Sequence, residues 1–527
     1  MNVPRSNASM PNASMPSTPG PDAPGPGANA PVAEKPASDA SKTAGSTTTR
    51  PTAGPAPAGS EPAEAAVSET AAAVPAFPPG FLWGASASAF QTEGATDTDG
   101  KGPSGWDAFA AQPGRIKDGT DTTRATGFHQ HYREDVALLA GLGADAFRFS
   151  ISWPRVVPGG SGAVNPQGLD FYDRLVDELC AHGITPAPTL YHWDTPLPLD
   201  RAGGWLNRDT AYRFAEYAGI VAERLADRVP MWITINEPAE VTLLGYALGQ
   251  HAPGHTLLFD ALPAAHHQLL AHGLAVRALR GAGADNIGVA VSHTPVWTAG
   301  DRDEDRFGAE LYDTISNWLF ADPILTGRYP DQNFAALMPG PVADDLTTIC
   351  APLDWYGVNY YNPTLVGAPD GQALDSFSGF EMPDELPFGI REIEGYEKTD
   401  FGWPVVPDGL RETLVQLRAR FGDRLPPLYI TENGCAVDEP ARDTRRIAYL
   451  EGHLKALRTA IDAGVDVRGY FTWSLTDNVE WIEGASKRFG LVHIDYETLR
   501  RTPKDSYAWY RDLIHAQKNR HPAAGNA

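Results

Sequence analysis

The sequence predicts an α/β protein built as a (β/α)8, or TIM, barrel, a single domain preceded by a disordered amino-terminal tail. Three observations predict it. Eight short runs of β-branched, aromatic and small apolar residues recur along the chain, each followed by a segment with helical spacing of its apolar residues. That alternation calls for a parallel sheet, and eight units call for closure into a barrel. No Gly-rich phosphate loop follows the first run, which weighs against an open, doubly wound sheet. Polar and aromatic residues gather at the carboxyl ends of the runs, where barrels of this kind build their sites.

The elements follow in order. Phe81 to Ala85 is the first strand, and Tyr132 to Leu142 is helical because Val136, Leu139 and Leu142 share a face. Ala146 to Trp153 is the second strand, and a helix over Phe171 to Ala181 follows. Ile184 to Tyr191 reads as the third strand despite Pro186 and Pro188. A helix from Asp209 to Leu225 leads into the fourth strand, Met231 to Glu237. Next come a helix near 264–280, a strand at 287–291 and a helix near 306–319. Trp355 to Asn359 is the sixth strand, and 363–402 reads as a long irregular loop. A helix from Leu410 to Phe421 leads to the seventh strand, Leu428 to Glu432. A helix at 443–463, a strand at 467–473 and a helix at 503–516 complete the set.

Residues 1–76 differ in kind. They are Pro, Ala, Ser, Gly and Thr, with a tandem Asn-Ala-Ser-Met-Pro, and cannot bury enough apolar surface to offset ordering entropy. The tail lacks the apolar stretch of a secretory signal, and no apolar run is long enough to span a membrane. The barrel is expected over 77–516, with a short carboxyl-terminal tail at 517–527. Net charge is −24, which argues against nucleic acid or an anionic membrane as partner and disfavours a phosphorylated substrate. Cys180, Cys350 and Cys435 are few and far apart, with neither metal-ligand nor redox spacing, as in a reducing, cytoplasmic compartment. No metal site is expected, since no two His stand at ligand spacing beside a carboxylate and the adjacent His266 and His267 diverge on a helix. Nothing in the sequence sets an oligomeric state.

Two runs end alike. Met231-Trp-Ile-Thr-Ile-Asn-Glu-Pro238 and Leu428-Tyr-Ile-Thr-Glu-Asn-Gly434 each close on a glutamate beside an asparagine and then a chain breaker. Each motif alone is equally a surface carboxylate at a strand end. Together, Glu237 and Glu432 at the ends of strands 4 and 7 would face one cleft, and two carboxylates in one cleft suit cleavage of a glycosidic bond. The remaining strand ends supply Gln91 and Glu93, Arg148, Tyr191-His-Trp-Asp194, Asn359-Tyr-Tyr361, and Trp473 with Asp477-Asn478 and Glu480-Trp481. A sugar needs this mixture: hydrogen-bonding groups for its vicinal hydroxyls and an aromatic face beneath its ring.

At this point the chain resembles glycoside hydrolase family 1, the β-glucosidase family. The resemblance rests on Phe81-Leu-Trp-Gly-Ala-Ser-Ala-Ser-Ala-Phe-Gln-Thr-Glu-Gly94, Phe147-Arg-Phe-Ser-Ile-Ser-Trp153, Leu190-Tyr-His-Trp-Asp194, Thr234-Ile-Asn-Glu-Pro238, Asn359-Tyr-Tyr361, Ile430-Thr-Glu-Asn-Gly434, Phe471-Thr-Trp-Ser474 with Asp477-Asn-Val-Glu-Trp481, and Lys487-Arg-Phe-Gly490, in that order. It implies a retaining β-glucosidase that needs no cofactor and acts on small β-glucosides or cello-oligosaccharides. It further implies Glu237 as acid/base and Glu432 as nucleophile, about 5–5.5 Å apart. Asn236 would hold the sugar's 2-hydroxyl, and Gln91, His192, Trp473, Glu480 and Trp481 would form the glycone pocket. Tyr361 and Arg148 would bond the nucleophile and keep it ionised. Trp193, Asn359 and Phe489, inside the same motifs, would support the pocket. Two departures, Ala239 where the family often has Trp and Val479 where Phe is usual, bear on the leaving group. Glu480 would repel a 6-phosphate, which disfavours the 6-phospho-glycosidase branch. A non-catalytic sugar-binding barrel and a transglycosylase are the alternatives; the first is disfavoured because both glutamates are present.

Overall fold

The eight apolar runs become eight strands, all parallel to their neighbours, in a computed structural model that describes Ala71 and residues 73–520 apart from 372 and 375–379. They are β1 (Leu82–Ser86), β2 (Ala146–Ser150), β3 (Thr185–Tyr191), β4 (Trp232–Asn236), β5 (Ile287–Ser292), β6 (Tyr356–Asn359), β7 (Leu428–Asn433) and β8 (Val467–Trp473). Each pairs with the next, and β1 pairs with β8, so among the described residues the strands close into a barrel.

Side-chain alternation divides each strand between two cores. Ala146, Ala187, Ile233, Ala290 and Phe471 come from five strands and meet one another, with Met231 and Trp355, so they fill the barrel's interior. Two glycines make that filling fit. A Cβ on Gly288 would lie 2.4 Å from the Trp355 indole, and one on Gly84 would lie 2.5 Å from the Phe471 ring. The opposite faces of the strands pack on the helices. Phe128–Leu142, Pro166–Ala181, Asp209–Leu225, Leu262–Gly281, Pro407–Phe421, Thr444–Asp462 and Asp505–Arg520 carry apolar stripes into this outer core.

Pro186 and Pro188 are tolerated in β3 for a local reason. Thr185 donates its N–H to Asp145 on the β2 side, so the even-numbered residues turn their nitrogens towards β4. Pairing of β3 with β4 begins only at Thr189, beyond both prolines, so no ladder donor is lost.

The structure corrects several boundaries. β2 stops at Ser150, and Trp153 opens a short helix, Trp153–Val156. The helix expected near 306–319 is Asp303–Asp313, followed by a π-helical turn over Thr314–Trp318 and a further helix, Leu319–Thr326. The stretch 363–402 is not wholly irregular: Thr364–Gly367 and Gly389–Arg391 join Val296–Thr298 in a three-stranded sheet outside the barrel. The tail over 1–70 and position 72 lie outside the described residues, as does 521–527. Ala71 and Val74 are buried, Gln517 bonds both Phe77 N–H and Pro75 carbonyl, and Arg520 donates to the Val74 carbonyl. Contacts with the barrel therefore reach beyond 77 and 516 on both sides. Among the described residues no helix is long and apolar enough to cross a membrane.

Candidate active site

The barrel's carboxyl end opens into a cavity of about 290 Å³. Glu237 and Glu432 both line it, with His192, Trp193, Tyr361, Trp473, Glu480 and Trp481. Each glutamate follows a register irregularity in its strand: β4 shifts against β5 between Ile233 and Asn236, and β7 shifts against β6 between Ile430 and Glu432. Such irregularities re-aim side chains at a barrel rim.

Glu237 sits in the left-handed backbone region, with φ 46° and ψ 63°. For a residue with a Cβ this costs on the order of 1–2 kcal/mol. The Glu237 N–H donates to the Ala290 carbonyl, and Pro238 sets the backbone angle that starts the next helical turn.

A buried network holds the two carboxyl groups in place. Arg148 donates through Nη1 to Glu432 Oε1 at 2.5 Å and through Nη2 to Asn236 Oδ1 at 2.6 Å. The Tyr361 hydroxyl donates to Glu432 Oε2 at 2.7 Å, so both oxygens of Glu432 accept. Asn359 gives its amide hydrogens to Glu237 Oε1 at 2.8 Å and to Asn236 Oδ1 at 3.0 Å. The Thr431 hydroxyl bonds Asn359 Oδ1, which fixes the orientation of that amide. Glu237 is held well above the usual carboxylate range, first by burial, then by the negative charges of Glu432 and Glu240. A proton on one carboxyl beside an oriented, accepting carboxylate is the asymmetry that acid and nucleophile roles require.

A second group lies towards β8 and β1. Glu480 Oε2 accepts from Asn478 at 2.7 Å and from Gln91 at 3.2 Å, and Ser88 bonds Gln91 in turn. Burial pushes Glu480 up to about 8, with Asn478 and Gln91 opposing and the charge of Glu432 adding. His192 is held neutral by burial and by Arg148; its Nε2 accepts from Asn236, which leaves the proton on Nδ1. Trp473 stacks on His192 with centroids 5.7 Å apart, and Trp481 stacks on Trp193 at 4.2 Å. Trp193 donates its indole N–H to the Asn236 carbonyl. Phe489 meets Tyr361 edge-on and packs with Trp473 and Ala436.

The thirteen residues singled out from sequence thus fall into two shells. Eight line the cavity. Gln91, Arg148, Asn236, Asn359 and Phe489 are fully buried behind it and hold the others. Three further polar residues from the strand ends also stay behind the wall. Glu93 is tied to Arg155 and Tyr172, Asp194 is a buried carboxyl pushed up to about 8 by desolvation, and Asp477 pairs with Lys504 and Arg488. Sequence reading missed Glu240, Gln250, His251 and Ser292 on the wall. Only Glu240 carried a signal, its position three residues beyond Glu237. Ala239, where the family often has Trp, is buried and does not line the cavity. Among the described residues, no group of three His, Cys, Asp or Glu side chains could hold a metal ion.

Comparison with known proteins agrees with this geometry. The family profile for glycosyl hydrolase family 1 matches residues 74–519. The thermostable beta-glucosidase B of Thermobispora bispora is 46% identical over 454 residues, 84% of this chain and 92% of that protein. The crystal structure of a psychrophilic beta-glucosidase from Micrococcus antarcticus superposes with a TM-score of 0.80 at 43% identity, covering 85% of this chain and 99% of that one. The family 1 β-glucosidase of Thermotoga maritima in complex with isofagomine lactam gives a TM-score of 0.78 at 38% identity, covering 84% and 99%. With a family match across most of its length and relatives above 40% identity, the chain belongs to glycosyl hydrolase family 1.

Proposed function

We propose that the protein is a retaining β-glucosidase that hydrolyses terminal, non-reducing β-D-glucosyl residues of small β-glucosides or cello-oligosaccharides. The observation that carries the reading is the unequal hold on two neighbouring carboxyl groups. Glu237 keeps its proton, while both oxygens of Glu432 accept from Arg148 and Tyr361. Glu432 attacks the anomeric carbon and forms an ester bond to it as the glycosidic C–O bond breaks. Glu237 passes its proton to the departing oxygen. Water then attacks the same carbon, gives its proton to Glu237, and frees Glu432; two inversions leave the β-configuration. Asn236, Gln91, His192, Trp473, Glu480 and Trp481 are read as the glucose-binding group, with Trp193, Asn359, Arg148 and Phe489 supporting it. A 6-phosphate would meet the Glu480 carboxyl. The catalytic unit is read as the barrel with its flanking contacts, 71–520, working in a reducing, cytoplasmic compartment, a reading supported by the free Cys180, Cys350 and Cys435.

The test is the anomeric proton signal during hydrolysis of an aryl β-glucoside, run beside the 6-phospho analogue. β-Glucose as the first product is expected. α-Glucose would remove Glu432 from the nucleophile role, and turnover of the phosphorylated substrate alone would overturn the reading of Glu480. In Glu237→Ala, azide should restore turnover and give the β-azide.

A further inference from the structure

Most of the glucose-binding group, Trp473, Glu480, Trp481 and Gln91, lies at and beyond the ends of β8 and β1, with Asn236 and His192 closing it from β4 and β3. In an eight-stranded barrel β4 and β5 lie opposite, so the leaving group departs towards that side. Glu240 stands there, one helical turn beyond Glu237 on the helix Pro238–Glu240. Its carboxyl is half-buried at the cavity wall and accepts from the Ser292 hydroxyl at the end of β5. Its charge is felt by Glu237 and by Tyr312. The other carboxylates on the wall are accounted for: Glu237, Glu432 and Glu480 serve the glucosyl end, and Glu483 pairs with Lys117.

Beyond Glu240 the wall changes character. The π-helical turns Val241–Ala247 and Thr314–Trp318 and the segment around 386–388 enclose the cavity with Leu243, Leu248, Leu258, Ile315, Leu386 and Phe388. A second sugar pressed against these six side chains would leave the hydroxyls that face them unbonded, and each unpaired buried polar group is costly. An apolar body would lose nothing and gain contact area. Mostly apolar walls with a few placed polar groups are how a pocket orients a ligand, and Glu240 is the acidic one on this side, beside Gln250, Ser292, Thr294 and Asn362.

Resting on the glucosidase reading above, we propose that Glu240 is a specificity-determining residue for the leaving group. It accepts a hydrogen bond from a hydroxyl on an otherwise apolar aglycone, so that the preferred substrates are β-glucosides of hydroxylated aryl or alicyclic alcohols rather than of a second sugar.

The experiment compares kcat/KM for phenyl β-glucosides bearing a hydroxymethyl group at the ortho, meta or para position. Each is set against its methyl counterpart, and all against cellobiose. The two members of a pair leave as phenols of similar acidity, so the ratio reports binding of the hydroxyl. In the unmodified protein at least one position should favour hydroxymethyl by about tenfold, chiefly through KM, and should exceed cellobiose. Glu240→Leu should bring that ratio to about one, and Glu240→Gln, which keeps an acceptor oxygen, should restore part of it. Glu240→Ala carries the same comparison if the leucine variant does not fold. A ratio that persists in Glu240→Leu, no preference at any position, or a preference for cellobiose would each overturn the inference while leaving the glucosidase reading intact. No turnover of any glucoside would overturn both.

Discussion

Glu480 is expected to weaken the fold in order to bind sugar, and Glu480→Gln tests this. Burial is the first cause of its rise from the ordinary 4.5 to about 8, and only 8% of the residue is exposed. Below 4.5 the folded and unfolded chains both hold the proton, and the residue costs nothing on this account. As pH rises through 4.5 the unfolded chain releases it while the folded chain retains it, so stability falls with pH until about 8. At pH 7 the interval is 7 − 4.5 = 2.5 units, and at ~1.4 kcal/mol per unit the deficit is roughly 3 kcal/mol. Glutamine has nearly the same shape, does not titrate, and keeps an oxygen for the Asn478 and Gln91 amides. With an unfolding entropy of ~2.1 cal/mol/K per residue over roughly 450 residues, the gain corresponds to an increase in Tm of about 3 °C. Calorimetry of both proteins from pH 4.5 to 8 should show the two melting temperatures converging at the acid end and diverging towards the alkaline end. Turnover should change the other way: kcat/KM for an aryl β-glucoside should fall by roughly tenfold to a hundredfold, since an amide NH2 replaces one of the two carboxyl oxygens offered to the sugar hydroxyls. A variant no more stable than its parent at pH 7, or a difference that does not depend on pH, would refute the reasoning.

Asn359→Ala removes an N–H that favours the ionised form of Glu237, so the alkaline limb of kcat/KM should move to higher pH; a limb that moves down would contradict the network described. Arg148→Met leaves Glu432 buried without its cation and should cost about 3–5 kcal/mol by chemical denaturation. Arg148→Lys, which restores the charge but not the fork between Glu432 and Asn236, should fall between the two. Gly434→Ala would place a Cβ 1.8 Å from the Trp473 carbonyl, so β7 and β8 must part at the rim; unfolding free energy should drop by about 1–3 kcal/mol or more, with activity lost alongside, and a variant of unchanged stability would show that this contact is not needed.

The barrel was legible because its strands are buried on both faces, so that β-branched and aromatic runs stand out against the helical spacing between them. The outer sheet was not. Its strands Val296–Thr298, Thr364–Gly367 and Gly389–Arg391 are three or four residues long and pair across gaps of tens of residues, so no local pattern announces them. The π-helical turns escaped for a related reason: they shift the helical register without changing composition. Sequence does not separate Glu240 from Ala239 as a wall residue, yet adjacent positions on a helix point about 100° apart, and it is 240 rather than 239 that meets the cavity.

The two glutamate motifs show most clearly what a string of letters withholds. Both place an asparagine next to the glutamate, and on sequence the asparagines look equivalent. Strand geometry separates them, since neighbouring side chains leave on opposite faces. Between Glu432 and Asn433 that rule holds. Glu432 faces the cavity, while Asn433 turns outward to bond the Tyr360 carbonyl and the hydroxyls of Tyr449 and Tyr470. Between Asn236 and Glu237 it is broken. The left-handed backbone of Glu237 turns its side chain back to the face that Asn236 already occupies, so both enter the network around Arg148 and Asn359. The strain at Glu237 therefore has a structural consequence: it brings a proton-bearing carboxyl and an amide to one side of one strand, where regular alternation would have offered only one of them.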